Sequence, residues 1–241
     1  MPVTPAAFVS SSATTADRPE LILTIHVLVC GDHALPESLS ALPRTSAPDL
    51  PAKPDFDTLL PTLDEDTDAR LVVVGGDGAL AATVTRLMRG ERLHVEVAYV
   101  AAERTPATRL YGLPVAESAA RLAVSGSASQ LPLIRDDSGT ALVGAATITG
   151  PDEGPLVGEA YADSERVFSG EITALRVTPT TTLPGVRASA GRRLLRTRWL
   201  PARAVQLGAV GAVVTRDGVT TPRAVKRCSF YRDDRGWLLV R

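Results

Sequence analysis

This 241-residue chain has only two lysines, Lys53 and Lys226, and only two cysteines, Cys30 and Cys228. No apolar run approaches the roughly 20 residues that a membrane helix needs. Cys30 and Cys228 lie too far apart to form metal-ligand spacing. Both flank apolar, strand-like stretches and read as buried thiols in a reducing cytoplasm, with a disulfide between them left open. His26, His33 and His94 lack HExxH-type spacing, and the chain has neither a Gly-x-Ser-x-Gly elbow nor a Walker lysine. A formal net charge of −1 argues against a general nucleic-acid binder. Because nearly every positive charge is arginine, an Arg-biased composition is itself sufficient to explain local arginine clusters.

An apolar content of 44% and a charged content of 22% describe a globular protein. The length allows one large domain or two small ones. The chain divides into a flexible, Ser/Thr-containing tail over 1–18, an α/β domain over 19–128 and a β-rich domain over 129–241. Residues 1–20 lack the basic start and continuous apolar core of a signal peptide. Leu21–Val29 reads as the first strand. Six prolines between Ala34 and Pro61 exclude a long helix there, leaving room for one short turn over Asp55–Leu60. The acidic run Asp64–Asp68 suits a hard cation in principle, but a solvated loop or helix start is the stronger reading.

The most informative stretch is Leu71-Val72-Val73-Val74-Gly75-Gly76-Asp77-Gly78. Four apolar residues form a buried strand, and the glycine-rich corner leads into a helix over Ala79–Arg89. Glycines at such a corner let backbone N–H groups approach a phosphate, and the positive end of the helix favours its charge. Asp77 stands where a carboxylate can hold Mg²⁺. A plain strand-to-helix turn would use the same residues. Leu93–Val100 reads as the next strand, and Val115–Val124 has helical spacing ending at Ser125-Gly126-Ser127. From Leu131 the period shortens. Ala141–Ile148, Glu171–Val177, Ala202–Leu207 and Ala209–Arg216 are strand candidates separated by turn residues, indicating an antiparallel sandwich or barrel. The expected fold is therefore α/β plus β: a nucleotide-binding-type α/β domain followed by an antiparallel β-sandwich.

The Gly75–Gly78 motif and its surrounding order resemble the diacylglycerol kinase catalytic-domain family, whose members carry a strand followed by Gly-Gly-Asp-Gly-Thr. A second strand and a Gly-Leu-Pro break follow there, matched here by Gly112-Leu113-Pro114. NAD kinases share the glycine-rich strand and are the nearest competing family. The resemblance implies ATP and Mg²⁺ as cofactors and a lipid or polyol hydroxyl as acceptor. It gives Gly75, Gly76 and Gly78 the phosphate, Asp77 the metal, and Asp217 of a late Asp-Gly pair the role of base. A homodimer and peripheral membrane contact remain compatible with it. Arg192, Arg193, Arg196, Arg198 and Arg203, with Trp199, are candidates for that contact, against the plainer reading of a surface strand or loop.

The departures from the family are specific. The chain contains no asparagine, so the family's Gly-Thr-x-Asn-Asp phosphate loop cannot exist. Its positions fall on Ala102, Glu103, Arg104, Thr105 and Pro106, where Glu103 repels phosphate. Ala79 replaces a threonine, Cys30-Gly31-Asp32-His33 follows the first strand in place of Asn-Pro-x-Ser-Gly, and Val219 replaces a glutamate after Asp217-Gly218. Asp-Gly is also a hairpin turn, and that reading outweighs catalysis on turn chemistry alone. Two functions stay open: an ATP-dependent phosphotransferase acting on a lipid or polyol, and a non-catalytic relative that binds a ligand or a protein. An NAD kinase-like activity stands third, because the Asn-Asp pair used for its dinucleotide is equally absent.

Overall fold

The computed structural model describes residues 23–64, 68–191 and 198–241. The expected tail over 1–18, most of the acidic run, and Arg192, Arg193 and Arg196 lie outside the described residues.

The N-terminal half is a parallel sheet. Its strands are β1 (Thr24–Cys30), β2 (Arg44–Ala47), β3 (Ala69–Val74) and β4 (Glu96–Val100), in spatial order β2-β1-β3-β4. Parallel strands require crossovers, and both faces of such a sheet are covered. Residues therefore alternate between two apolar cores. Leu28, Cys30, Leu71, Val73, Val97 and Tyr99 point to one face. Val27, Val72, Val74, Ala98 and Val100 point to the other. The first face is packed by α1 (Lys53–Asp57), α2 (Leu60–Asp64), α3 (Asp77–Arg89) and α4 (Pro106–Tyr111), and the second by α5 (Ala116–Ser125).

The proline-rich segment holds no long helix, and in place of one short turn over Asp55–Leu60 it carries two short helices. Pro54 and Pro61 sit in the first turns of α1 and α2, where a missing N–H costs nothing. β2 escapes sequence recognition because Arg44-Thr45-Ser46-Ala47 has no apolar alternation. The second predicted strand is shorter than Leu93–Val100 and starts at Glu96, because residues 93–95 lie in a turn whose Val95 N–H donates to the Arg92 carbonyl at 3.1 Å.

The C-terminal half is β-rich and mostly antiparallel. Its strands are β5 (Ala128–Asp136), β6 (Ala141–Leu142), β7 (Ala146–Thr149), β8 (Leu156–Ala162), β9 (Glu165–Ile172), β10 (Ala174–Pro179), β11 (Val186–Gly191), β12 (Leu200–Ala202), β13 (Ala204–Arg216), β14 (Val219–Thr220) and β15 (Val225–Val240). They close around a core that includes Ile148, Phe168, Leu175, Val205 and Phe230. Ala204–Arg216 is one strand rather than two, passing through Gly208 with an irregularity before Ala212. Ala141–Ile148 is two strands rather than one, interrupted at Val143–Ala145. Glu171–Val177 likewise breaks at Thr173, between β9 and β10.

The long β15 joins the halves. Its first part pairs antiparallel with β13, and its end pairs parallel with β4 at Leu238 and Leu239. Cys30 and Cys228 are buried and free. Among the described residues no helix is long and apolar enough to cross a membrane.

One cation fixes how α5 lies on the parallel sheet. Arg70, 3% exposed at the start of β3, donates to the carbonyls of Ala123, Val124 and Gly126 at 2.7, 3.1 and 2.8 Å. These are carbonyls at the helix end, which lack intrahelical partners. Glu96 balances the charge with a 2.8 Å bond from Arg70 Nε.

Candidate functional site

The Gly-Gly-Asp-Gly corner lies at the carboxyl ends of β3 and β4, where open α/β sheets present their crevice. Gly76 is the N-cap of α3, with φ −86° and ψ 174°, and Asp77 is its first residue. The three glycines have different surroundings. A Cβ on Gly75 would lie 3.0 Å from Cys30 Cβ and 3.2 Å from Ala79 Cβ, so this glycine permits the approach of β1 to α3. A Cβ on Gly78 would lie 3.1 Å from Val219 Cγ2 and 3.3 Å from the Asp217 carbonyl, so the β13–β14 hairpin covers it. Gly76 alone faces open space.

Asp77 is 7% exposed and engaged at both oxygens. Oδ1 accepts the Tyr99 hydroxyl at 2.8 Å, and Oδ2 accepts the Ala107 N–H at 3.0 Å. The second contact arises from the segment where the family's asparagine loop would fall. Thr105 is the N-cap of α4 and accepts the Thr108 N–H at 3.1 Å, while Thr108 Oγ1 accepts the Thr105 N–H at 2.8 Å. Pro106 is the first helical residue. Thr-Pro is thus a helix start in its own right, and Asp77 takes one of the N–H groups that the new helix leaves without a partner. Ala102, Glu103 and Arg104 are exposed.

Asp217 and Gly218 form the two-residue turn between β13 and β14, with φ 47° and 84° and Arg216 paired to Val219. Two positive φ values fit a type I′ hairpin. The Asp217 carboxylate turns inward, where it is 6% exposed. Oδ1 accepts the N–H groups of Gly144 and Ala145 at 2.7 and 3.0 Å, and Oδ2 accepts that of Val143 at 3.0 Å. This side chain splits the run Ala141–Ile148 into β6 and β7, because it replaces a partner strand for three consecutive amides. Burial pushes the Asp217 carboxyl up to about 7, against the pull of those amides, and the Asp77 charge adds to the rise.

Asp77 and Asp217 meet over Gly144. A Cβ there would lie 2.8 Å from Asp77 Oδ2, 3.0 Å from Asp217 Oδ1 and 3.1 Å from the Ala107 nitrogen. The site therefore draws on Tyr99, Ala107, Val143 and Ala145, none of which stands out by residue type. Gly144, interrupting an apolar strand pattern, is the one sequence signal that a close approach occurs there. Burial and the neighbouring Asp77 also push the Tyr99 hydroxyl well above its usual range, so it remains a donor.

Above the pair lies a cleft of about 380 Å³, lined by Leu50, Gly76, Pro106, Ala145 and Val219 as well as the two aspartates. Among the described residues, no three His, Cys, Asp or Glu side chains form a group that could hold a metal ion. His26 contacts Thr45 Oγ1 at 3.0 Å, and His33 is 3.7 Å from Asp49. Arg198 pairs with Glu165 at 2.7 Å, and Arg187 lies 4.6 Å from the Trp199 ring centre.

No protein-family model and no curated protein sequence matches the chain. Solved structures do match. A putative diacylglycerol kinase from Bacillus anthracis Sterne superposes with a TM-score of 0.67 at 11% identity, covering 90% of this chain and 96% of that one. An NAD kinase from Archaeoglobus fulgidus, in complex with ATP, gives 0.56 at 10% identity over 90% and 93%. Yeast NADH kinase complexed with NADH gives 0.51 at 13% identity over 90% and 83%. The parallel sheet and the β-rich second half thus share their overall fold with these solved diacylglycerol kinase and NAD kinase structures.

Proposed function

We propose that this chain is a non-catalytic relative of the lipid kinases, retaining their fold to bind a ligand in the cleft between Gly76 and Val219. One observation carries this reading: both site carboxylates are engaged by the protein itself. Asp77 is held by Tyr99 and Ala107, and Asp217 by three consecutive amides. Mg²⁺ takes near-octahedral oxygen coordination and usually needs one or two accessible carboxylates beside substrate phosphates. Two buried carboxylates, each already accepting protein donors at both oxygens, do not fit that requirement. Pro106 removes one backbone N–H from the phosphate side, and the hairpin covers Gly78. The cleft sets Leu50, Ala79, Pro106, Ala145 and Val219 beside Asp49 and Thr105, which suits a small ligand with an apolar body and a few polar groups.

The second reading is ATP-dependent phosphoryl transfer to a lipid or polyol hydroxyl. It is favoured by the open space over Gly76 at the N-terminus of the 13-residue α3. A transfer assay with Mg-ATP and diacylglycerol or glycerol separates the two. The binding-protein reading expects no transfer above the enzyme-free rate. Mg²⁺-dependent transfer that disappears in Asp77→Asn overturns it. For the cleft itself, neutral Nile red serves as an apolar probe. Gly76→Phe places a large side chain in open space at an unstrained φ, and it should abolish dye binding while the melting temperature holds.

A further inference from the structure

We infer that a second cavity, between α1 and α3, is a binding site for a phosphomonoester dianion. It has a volume of about 290 Å³, and Leu50 forms a wall common to it and the cleft. Lys53, Arg86 and Arg89 line it, and no carboxylate does. The cations come from two different elements: Lys53 opens α1, and the two arginines stand one turn apart near the end of α3.

Their existing contacts leave charge and donors over. The exposed side chain of Lys53, one of two lysines in the chain, has no ion-pair or hydrogen-bond partner among the described residues. Arg89 Nη2 donates to the carbonyls of Ser138 and Gly139, both at 3.2 Å, which are neutral acceptors. Arg86 Nη2 meets Asp57 at 3.1 Å, but that carboxylate is 52% exposed and weakly placed to neutralise it. Among the described residues, Arg86 Nε is buried and has no acceptor. That nitrogen is a buried donor without a protein acceptor on a residue of the cavity wall, where buried donors are almost always satisfied. Favourable interaction with the carbonyl end of α3 accounts for two arginines in its last turn. It does not account for the buried Nε or for a lysine brought in from α1.

The chemistry selects the anion. Guanidinium groups present planar forks that match phosphate oxygens, and an ammonium adds a point charge. Three cations against one exposed aspartate suit a dianion better than a single carboxylate. Thr140 adds a hydroxyl, while Leu50 and Phe56 give the organic part of an ester an apolar wall.

The full chain is titrated calorimetrically with inorganic phosphate and with glycerol 3-phosphate, at constant ionic strength. Saturable binding of glycerol 3-phosphate is expected, weakened about tenfold in Lys53→Gln and in Arg86→Gln. Gly76→Phe should leave it unchanged, which keeps this site distinct from the cleft and its failure distinct from failure of the proposed function. Arg86→Lys, which keeps the charge but loses the fork, carries the test if Arg86→Gln does not fold. Co-sedimentation with phosphatidylcholine vesicles containing phosphatidic acid identifies the source. Binding lost in Lys53→Gln assigns the phosphomonoester to a lipid surface, and soluble binding alone assigns it to a free ester. No saturable binding in either format, or equal binding by wild type and both variants, overturns the proposal.

Discussion

Asp77 and Asp217 approach each other over the Cα of Gly144, each held there by donors of the protein itself. Residues 77 and 217 come from opposite halves of the chain, so this contact ties the β13–β14 hairpin to the N-terminus of α3. Gly144 is required because a side chain would occupy the space between the two carboxylates.

Gly144→Ala should therefore be destabilising by about 1–3 kcal/mol, as overpacking in a closed core is. Gly76→Ala, next to Asp77 in the chain but facing open space, should cost under about 1 kcal/mol. Chemical denaturation of the two variants checks the contrast. Equal costs would mean that the acid pair can relax around a Cβ.

Asp217 gives the stability a definite pH dependence. Its folded-state carboxyl is pushed up to about 7 by burial, whereas an unfolded aspartate titrates near the ordinary value of 3.8. Below about pH 4 it is protonated in both states and contributes no slope. Between about pH 4 and 7 the unfolded chain releases its proton first, so stability falls as pH rises, and above about 7 the contribution is constant. Asp217→Asn tolerates the positive φ and removes the titration. The stability difference between wild type and this variant should shift against the wild type across that window and stay flat above it.

Arg70→Met should cost about 3–5 kcal/mol, because it strips three carbonyls at the end of α5 and leaves Glu96 without its partner. Hydrogen exchange should accelerate first in Ala116–Ser125. A variant whose α5 stays as protected as the wild type would contradict the role given to this arginine.

Cys30 and Cys228 should be inert to thiol reagents while the chain is folded. Burial pushes both thiols up to about 12, with the Asp49 charge adding at Cys30 and Asp137 at Cys228. Since the thiolate is the reactive form, labelling should follow global unfolding, with two thiols appearing together in a denaturant series.

Much of the fold is legible in the sequence, for a physical reason at each place. Leu71–Val74 followed by glycines can only be a buried strand turning into a helix, and Ala116–Ser125 shows its helical face. Strands defined by their partners are less visible. Arg44–Ala47 has no apolar pattern of its own, and the parallel pairing of Leu238 and Leu239 with β4 is a long-range choice. At the site, the glycines and Asp77 announce themselves, but what occupies them does not. Tyr99 reads as one more core residue of β4 until its hydroxyl is seen on Asp77. Thr105-Pro106 carries a helix-start signature that alignment to a phosphate loop obscures. Asp217-Gly218 is a hairpin turn, as turn chemistry favours, and its carboxylate also organises Val143–Ala145.

In the binding-protein reading proposed above, the Gly75–Gly78 corner does not serve Mg-ATP. Calorimetric titration of ATP with Mg²⁺ into the wild type, Asp77→Asn and Gly76→Phe tests it most directly. No Mg²⁺-dependent binding at millimolar nucleotide is expected in any of the three. Saturable, Mg²⁺-dependent binding to the wild type that both substitutions abolish would contradict it and restore the corner as a nucleotide site.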